Sequence, residues 1–495
     1  MESSKRRQGK QIALMMLMTI GIQVFGLFRV IIVARKFGVS PALDAFNFAS
    51  SIAVVIFSFI GVGVTTVLMP NIGKESNKKA INTFIVTIYS GATIILALTI
   101  IFSKVIVGNF MDDKGASNIE TAAILLVVLV IAQYIASYMG VSNAILNFQE
   151  KFNIPKIGLL VMSIAIVILL YFEANNSIVY YADIVLVTAV INFIFQQFFM
   201  RRSGFKLSLS FDFKDKVVRG MFKSFLPVVV STGLYQISIL VDTFIASRLG
   251  TGKVSILNYS NYLIGMVSVI FIANISSFLY PKIVKSLKHH NIQERIMNYI
   301  IIVSASMSFI VINLIISGRE IIGILYTGSG FTVGVSRMIY LCMCIYAVAI
   351  PTNAARDIIY KYFYATGDTS TPFKNSLFIS VLNIIMSVIF ARFIGLYGVV
   401  LGTSITTVIS AIIIFFKFKK KFGVNFNEKV FLIENFKIIC VTLITFGLSI
   451  FLRQYYILES KILEIIVNTV IITIIYIGML ILLRSKLLKE MKNYI

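Results

Sequence analysis

Long apolar runs follow one another from end to end of this chain, separated by short polar connections. In order they are Gln11–Val33, Leu43–Met69, Ile81–Phe102, Glu120–Leu146, Ile157–Tyr171, Ile178–Met200, Met221–Ala246, Ile256–Tyr280, Met297–Ile316, Arg337–Tyr360, Asn375–Phe393, Tyr397–Phe416, Ile433–Leu452 and Ile462–Leu483. A membrane-crossing helix needs about 20 apolar residues, and about fourteen runs meet or approach that length. The pattern predicts an all-α integral membrane protein with little chain left for a soluble domain.

Composition agrees. Of 495 residues, 58% are hydrophobic and 13% charged, where a soluble domain carries about 25% charged residues. Mean hydropathy is +0.92. The net charge of +24 would raise nucleic acid as a partner in a soluble chain. Here Lys and Arg collect in alternate connections, as the positive-inside rule expects: Lys5 to Lys10, Lys74 to Lys79, Arg201 to Arg219, Lys282 to Arg295, Lys417 to Lys429 and Arg484 to Lys492. Membrane topology therefore accounts for the charge, and no nucleic acid is implied. Both termini are expected in the cytoplasm, which requires an even number of spans. Cys342, Cys344 and Cys440 lie inside apolar runs and read as inert. The first run is too long for a signal-peptide core and lacks a small-residue cleavage site. There is no tryptophan, so Tyr and Phe are expected at the membrane interfaces.

The chain repeats itself. VARKFGVSPALDAFNFAS, leading to LMPNIGK, matches IASRLGTGKVSILNYSNY, leading to LYPKIVK. Gly38 corresponds to Gly250 and Pro70 to Pro281 at nearly the same separation. Six spans per period give both halves one orientation, as in parallel-repeat transporters, with a cleft expected between two bundles. The expected organisation is residues 1–200 as an N-terminal six-helix bundle, 201–220 as a basic cytoplasmic linker, 221–416 as a second six-helix bundle, and 417–495 as two further helices.

Arg29 lies near the end of the first run. A guanidinium at membrane depth costs about 2.5–3.5 kcal/mol on insertion scales. One reading is a residue snorkelling toward the outer interface, beside Arg35 and Lys36. The other is a wet cavity in which its planar fork grips a phosphate. Asp44 is placed to pair with Arg29 or Arg35. Asp242, inside the seventh run, reads as paired, protonated or holding a cation. Asn383 and Thr403, in runs eleven and twelve, are oxygen donors suited to a hard cation such as sodium. Arg356, Asp357 and Lys361 lie in the tenth run before a turn-forming stretch, Gly367 to Pro372. His289 and His290 read as solvated surface, and Asp112 and Asp113 as turn residues. No HExxH, GxSxG, Walker loop or CxxC is present, so an enzyme is not expected.

The stretch from Phe25 to Phe46 (FGLFRVIIVARKFGVSPALDAF) resembles the first-helix signature of the MurJ/MviN lipid II flippases. These belong to a superfamily that also holds polysaccharide flippases and MATE exporters. Leu234 to Leu263 and FYATGDTSTPFK (Phe363 to Lys374) resemble two further segments of that family. The resemblance implies fourteen helices, a V-shaped pair of bundles around a cationic cavity, and a lipid-linked substrate. It places Arg29 at the family's essential arginine and Asp44 at its acid. Asp242, Asn383, Val399 and Thr403 fall at a sodium site, with Ser387 where an acid would complete it. Other family charges are missing. The second run, Ala49 to Val67, is uncharged, and Asn261 with Tyr262 stands where an Asp-Arg pair is usual. Asn261, Arg35, Arg356 and Lys361 therefore join Arg29 and Asp44 as candidate substrate contacts.

The expected function is a flippase that carries an undecaprenyl-pyrophosphate-linked saccharide, lipid II or a related precursor, across the bacterial cytoplasmic membrane by alternating access. Sodium or the membrane potential would reset it, with no other cofactor. The alternatives are a flippase for O-antigen or capsule repeat units, a MATE-like exporter, and a membrane glycan polymerase. An exporter would want acids deep in both halves. A polymerase would want a positioned acid on an outer loop.

Overall fold

The computed structural model describes residues 2–483 except 73–77, 111–115, 174–176, 206, 213, 274, 276–278, 281–282, 285–286, 288–291, 327–330, 424–425 and 457; the side chains of 2–13, 110, 116–118, 231–232 and 273 also fall outside the description. Pro281, the two histidines, Lys74, and Asp112 with Asp113 lie outside the described residues.

The helices are α1 (Glu2–Phe37), α2 (Pro41–Leu68), α3 (Lys78–Ile101), α4 (Ser103–Phe110), α5 (Ala116–Phe148), α6 (Asn153–Phe172), α7 (Ile178–Arg202), α8 (Lys216–Arg248) and α9 (Lys253–Val267). They continue as α10 (Ile292–Ile316), α11 (Gly318–Leu325), α12 (Val333–Val348), α13 (Ile350–Ala365), α14 (Ser370–Ile394), α15 (Leu396–Phe422), α16 (Glu428–Arg453) and α17 (Lys461–Leu482). Among the described residues, fourteen stretches of helix are long and apolar enough to cross a membrane. They coincide with the fourteen runs.

Three local departures have physical causes. Helix α1 passes the expected end at Val33 and stops at Phe37, because Ala34 and Phe37 are buried while Arg35 and Lys36 occupy the last turn, where cations meet the negative end of the helix dipole. The tenth span is broken at Ala349, ahead of Pro351, whose ring removes an N–H and crowds the preceding turn. The eighth passes from α-helix into a π-helical turn at Ser268–Ala273. The short helices α4 and α11 lie beyond the apolar runs.

The turns that follow the first and seventh spans match. Gly38 and Gly250 each follow a span with positive φ, 59° and 112°, a region only glycine enters freely. After Gly38, Ser40 caps α2 by accepting a hydrogen bond from the Leu43 N–H at 3.3 Å, and Pro41 opens the helix.

The chain divides into two compact units, residues 1–255 with 328–330, and residues 256–327 with 331–495. In the first, α2 lies between α5 and α8, α5 packs on α7, and α1 leans on α6. The α2–α5 contact is close enough that a Cβ on Gly140 would sit 2.4 Å from the Gly61 carbonyl oxygen. Thr65 Oγ1 donates to the Gly140 carbonyl at 2.9 Å across the same seam. Small residues of this kind let membrane helices approach closely. In the second unit, α14 and α15 form a hairpin through Gly395, and Gly398 packs against the backbone of Phe390. Helices α16 and α17 pack on α10 through Ile301, Ile312, Ile438, Val441, Ile472 and Tyr476. Arg453 reinforces that packing by bridging Glu320 and Glu464 and donating to the Ile316 carbonyl at 2.8 Å.

Candidate functional site

Arg29 is half-buried on α1. It lies eight residues before the helix end, about 12 Å along the axis, which is deeper than an end at Val33 would place it. Among the described residues it forms no ion pair and no hydrogen bond. Arg35 is exposed. Among the described cations of this helix, Lys36 is paired: its Nζ contacts the Glu173 carboxylate at 2.9 Å and also the Glu173 carbonyl.

Asp44 does not pair with Arg29 or Arg35 as the sequence led us to expect. Its carboxylate is buried against the start of α9. Oδ2 accepts from the Gly252 N–H at 2.5 Å, and Oδ1 accepts from the Ser255 N–H at 2.7 Å and the Ser255 hydroxyl at 2.5 Å. The reason is local. A helix start leaves N–H groups without partners, and a capping side chain or a nearby anion normally satisfies them. Gly252, the residue preceding α9, has no side chain, so Asp44 supplies the carboxylate from α2. Gly252 is itself fixed by a φ of +82° and by Val39, whose Cγ1 lies 2.4 Å from where a Cβ would stand. Asp44 thus ties the first repeat's turn to the second's. Gly252 and Ser255 escaped the sequence reading, although the matched turns pointed to the right segments.

In the second unit three expected cation ligands come together. Asn383 Nδ2 lies 3.0 Å from Thr403 Oγ1, which lies 3.3 Å from the Val399 carbonyl oxygen. The Ser387 hydroxyl, one turn after Asn383, is fully buried with no hydrogen-bond partner among the described residues. Hydroxyl, amide and carbonyl oxygens fit a hard cation. Asp242 belongs to the first unit, where it is buried on α8. Among the described residues no cluster of His, Cys, Asp and Glu is arranged for a metal.

Arg356 on α13 donates to the Asn353 side chain and to Ser410 Oγ at 3.4 Å, with its guanidinium 5.6 Å from the centre of the Tyr360 ring. Asn375, fully buried, donates to the same Ser410 Oγ and to the Tyr360 hydroxyl, each at 2.9 Å. These bonds hold Arg356 among neutral groups on α13, α14 and α15. Lys361 is half-buried further along α13, and Asn261 is exposed on α9.

Fourteen helices long and apolar enough to cross a membrane, a duplicated helix–turn–helix and cations within spans are the features of a multi-pass membrane transporter. A family model described as lipid II flippase MurJ matches residues 33–476. The probable lipid II flippase MurJ of Rickettsia prowazekii is 23% identical over 497 residues, covering 96% of this chain and 97% of that protein. That of Borreliella burgdorferi is 23% identical over 454 residues, covering 87% and 86%. A solved structure of lipid II flippase MurJ in an inward closed conformation superposes with a TM-score of 0.81 at 23% identity, covering 95% of this chain and 99% of that one. A MOP superfamily transporter from Pyrococcus furiosus gives 0.60 at 18% identity, with 84% and 96% covered. The chain belongs to the lipid II flippase MurJ family.

Proposed function

We propose that this protein translocates lipid II, a polyprenyl-diphosphate-linked saccharide, across the bacterial cytoplasmic membrane, with both termini on the cytoplasmic side. The membership of the MurJ family and the fold shared with a MurJ structure support lipid II over another surface-glycan precursor. The observation that carries the chemistry is Arg29, a guanidinium within a span that has no counter-ion among the described residues. A fixed charge held in that state attracts an anion, and arginine presents two parallel donors to a phosphate. In this reading Arg29 takes the diphosphate. The transporter opens to each side of the membrane in turn. Neutral oxygens of Asn383, Thr403 and Val399 receive sodium, which with the membrane potential resets the cycle. Each charge moved through the potential contributes about 2.3 kcal/mol per 100 mV.

The test is rescue of a strain depleted of its own lipid II flippase. Arg29→Ala should abolish rescue and Arg29→Lys restore it only in part, since lysine keeps the charge but not the fork. Full rescue by the alanine variant, at normal membrane abundance, contradicts the assignment.

A further inference from the structure

Between α7 and α8 the chain reads Phe205-Lys-Leu-Ser-Leu-Ser-Phe-Asp-Phe213, an alternation with a period of two in which odd positions are apolar and even positions polar. In an extended segment successive side chains point to opposite faces. Such strands in proteins normally turn the apolar face inward. This one does the reverse. Residues 207–212 belong to no helix, and their even-numbered polar members bond to the first turns of α3. Asn82 Nδ2 donates to Ser208 Oγ at 2.7 Å, Thr83 Oγ1 lies 3.0 Å from Ser210 Oγ, and the Asp212 N–H donates to Thr83 Oγ1 at 3.2 Å. Lys79 closes the row with an ion pair to Asp212 at 3.4 Å. The opposite face, Leu207, Leu209 and Phe211, is left 40%, 83% and 63% exposed.

The depth of the segment identifies what covers that face. Asn82 and Thr83 are the fifth and sixth residues of α3, about 6–8 Å along its axis. That helix has 24 residues, about 36 Å, against about 30 Å of hydrocarbon. The segment bonded to them therefore runs level with the boundary between headgroups and acyl chains, not in bulk water. Its flanks carry exposed cations: Arg201 and Arg202 at the end of α7, and Lys214, Lys216 and Lys223 at and beyond the start of α8. Apolar side chains at the boundary with cations beside them match an anionic lipid surface, to which cations near it are attracted.

We propose that residues 207–212 form an interfacial anchor, with Leu207, Leu209 and Phe211 inserted at the acyl–headgroup boundary of anionic lipid while Ser208, Ser210 and Asp212 hold the strip to α3. The proposal does not rest on the substrate assignment.

The protein has no tryptophan, so Leu209→Trp carries a single reporter at a largely exposed position. In nanodiscs its emission should be shifted to the blue of indole in water and quenched by lipids brominated on the acyl chains, but not by aqueous iodide. Leu443→Trp, on the exposed face of α16, supplies the lipid-facing reference. Quenching of the Leu209 reporter should be stronger with phosphatidylglycerol than with phosphatidylcholine alone. Emission typical of water together with iodide quenching overturns the proposal. Blue emission that brominated chains leave untouched also overturns it, by showing that protein covers the strip. Equal quenching in both lipids overturns the part assigned to the cations. Size-exclusion profiles matching the parent establish that both variants are folded.

Discussion

Removing the Asp44 carboxylate should loosen the start of α9 by an amount the geometry allows to be estimated. In Asp44→Ala the Gly252 and Ser255 amides and the Ser255 hydroxyl lose their acceptor. A buried group left unsatisfied costs about 1–3 kcal/mol. Water entering the vacated space recovers part of this, and about 3 kcal/mol is a fair sum for three groups that act together. At about 1.4 kcal/mol per factor of ten, local opening should become about 100-fold more frequent. Asp44→Asn keeps one acceptor and sets an NH2 against an N–H, for about tenfold. Ser255→Ala leaves both amide bonds and removes only the hydroxyl, for a few-fold effect. The assay is hydrogen exchange followed by mass spectrometry on the peptide spanning 249–257, since exchange of a protected amide reports its local opening. Arg35→Ala is the decisive control. If Asp44 serves an arginine, that variant should match Asp44→Ala. If it serves α9, Arg35→Ala should leave exchange unchanged. Unaltered protection of Gly252 and Ser255 in Asp44→Ala would refute the capping role.

Two further outcomes are expected. Asn383→Ala should remove the sodium dependence of transport in proteoliposomes, since it takes away the amide beside Thr403, and transport that never responds to sodium would dismiss the cation. Asp368, in the turn after α13, accepts from Lys421 Nζ at 2.5 Å, from the Thr371 N–H at 2.9 Å and from its hydroxyl at 2.6 Å. Burial pushes its carboxyl up, but the hydrogen bonds from Lys421 and Thr371 outweigh this and bring it down to about 2. The folded value lies below the ordinary one, so the stabilisation is complete above about pH 4 and fades as pH falls through about 2. The difference in thermal stability between the parent and Asp368→Asn should shrink over that interval, and a constant difference would count against the pairing.

The spans were legible because each must satisfy its own backbone in lipid, which leaves a long apolar signature no loop interrupts. Span ends were less legible. The signal at Val33 faded into Ala34, Arg35 and Lys36, whose helicity depends on burial of Phe37 and on the helix dipole. The meeting of Asn383 with Thr403 could be anticipated from a resemblance, but spacing alone does not bring α14 and α15 face to face; the glycines at 395, 398 and 402 do. The partner of Asp44 was misjudged because electrostatics drew attention to arginines, while the donors were backbone amides that any sequence carries. Gly252, with no side chain to cap α9, was the one visible sign.

The seam between Gly61 and Gly140 has a mechanical consequence. Backbone touches backbone there, with Thr65 bonded across it, so α2 and α5 cannot part without opening a void that no side chain is present to fill. The pair acts as a stiff strut. Compliance in this protein therefore resides in its interrupted helices, at Ala349 before Pro351 and in the widened coil at 268–273. Spin labels on α2 and α5 should keep one separation throughout turnover, while labels flanking those two joints should not.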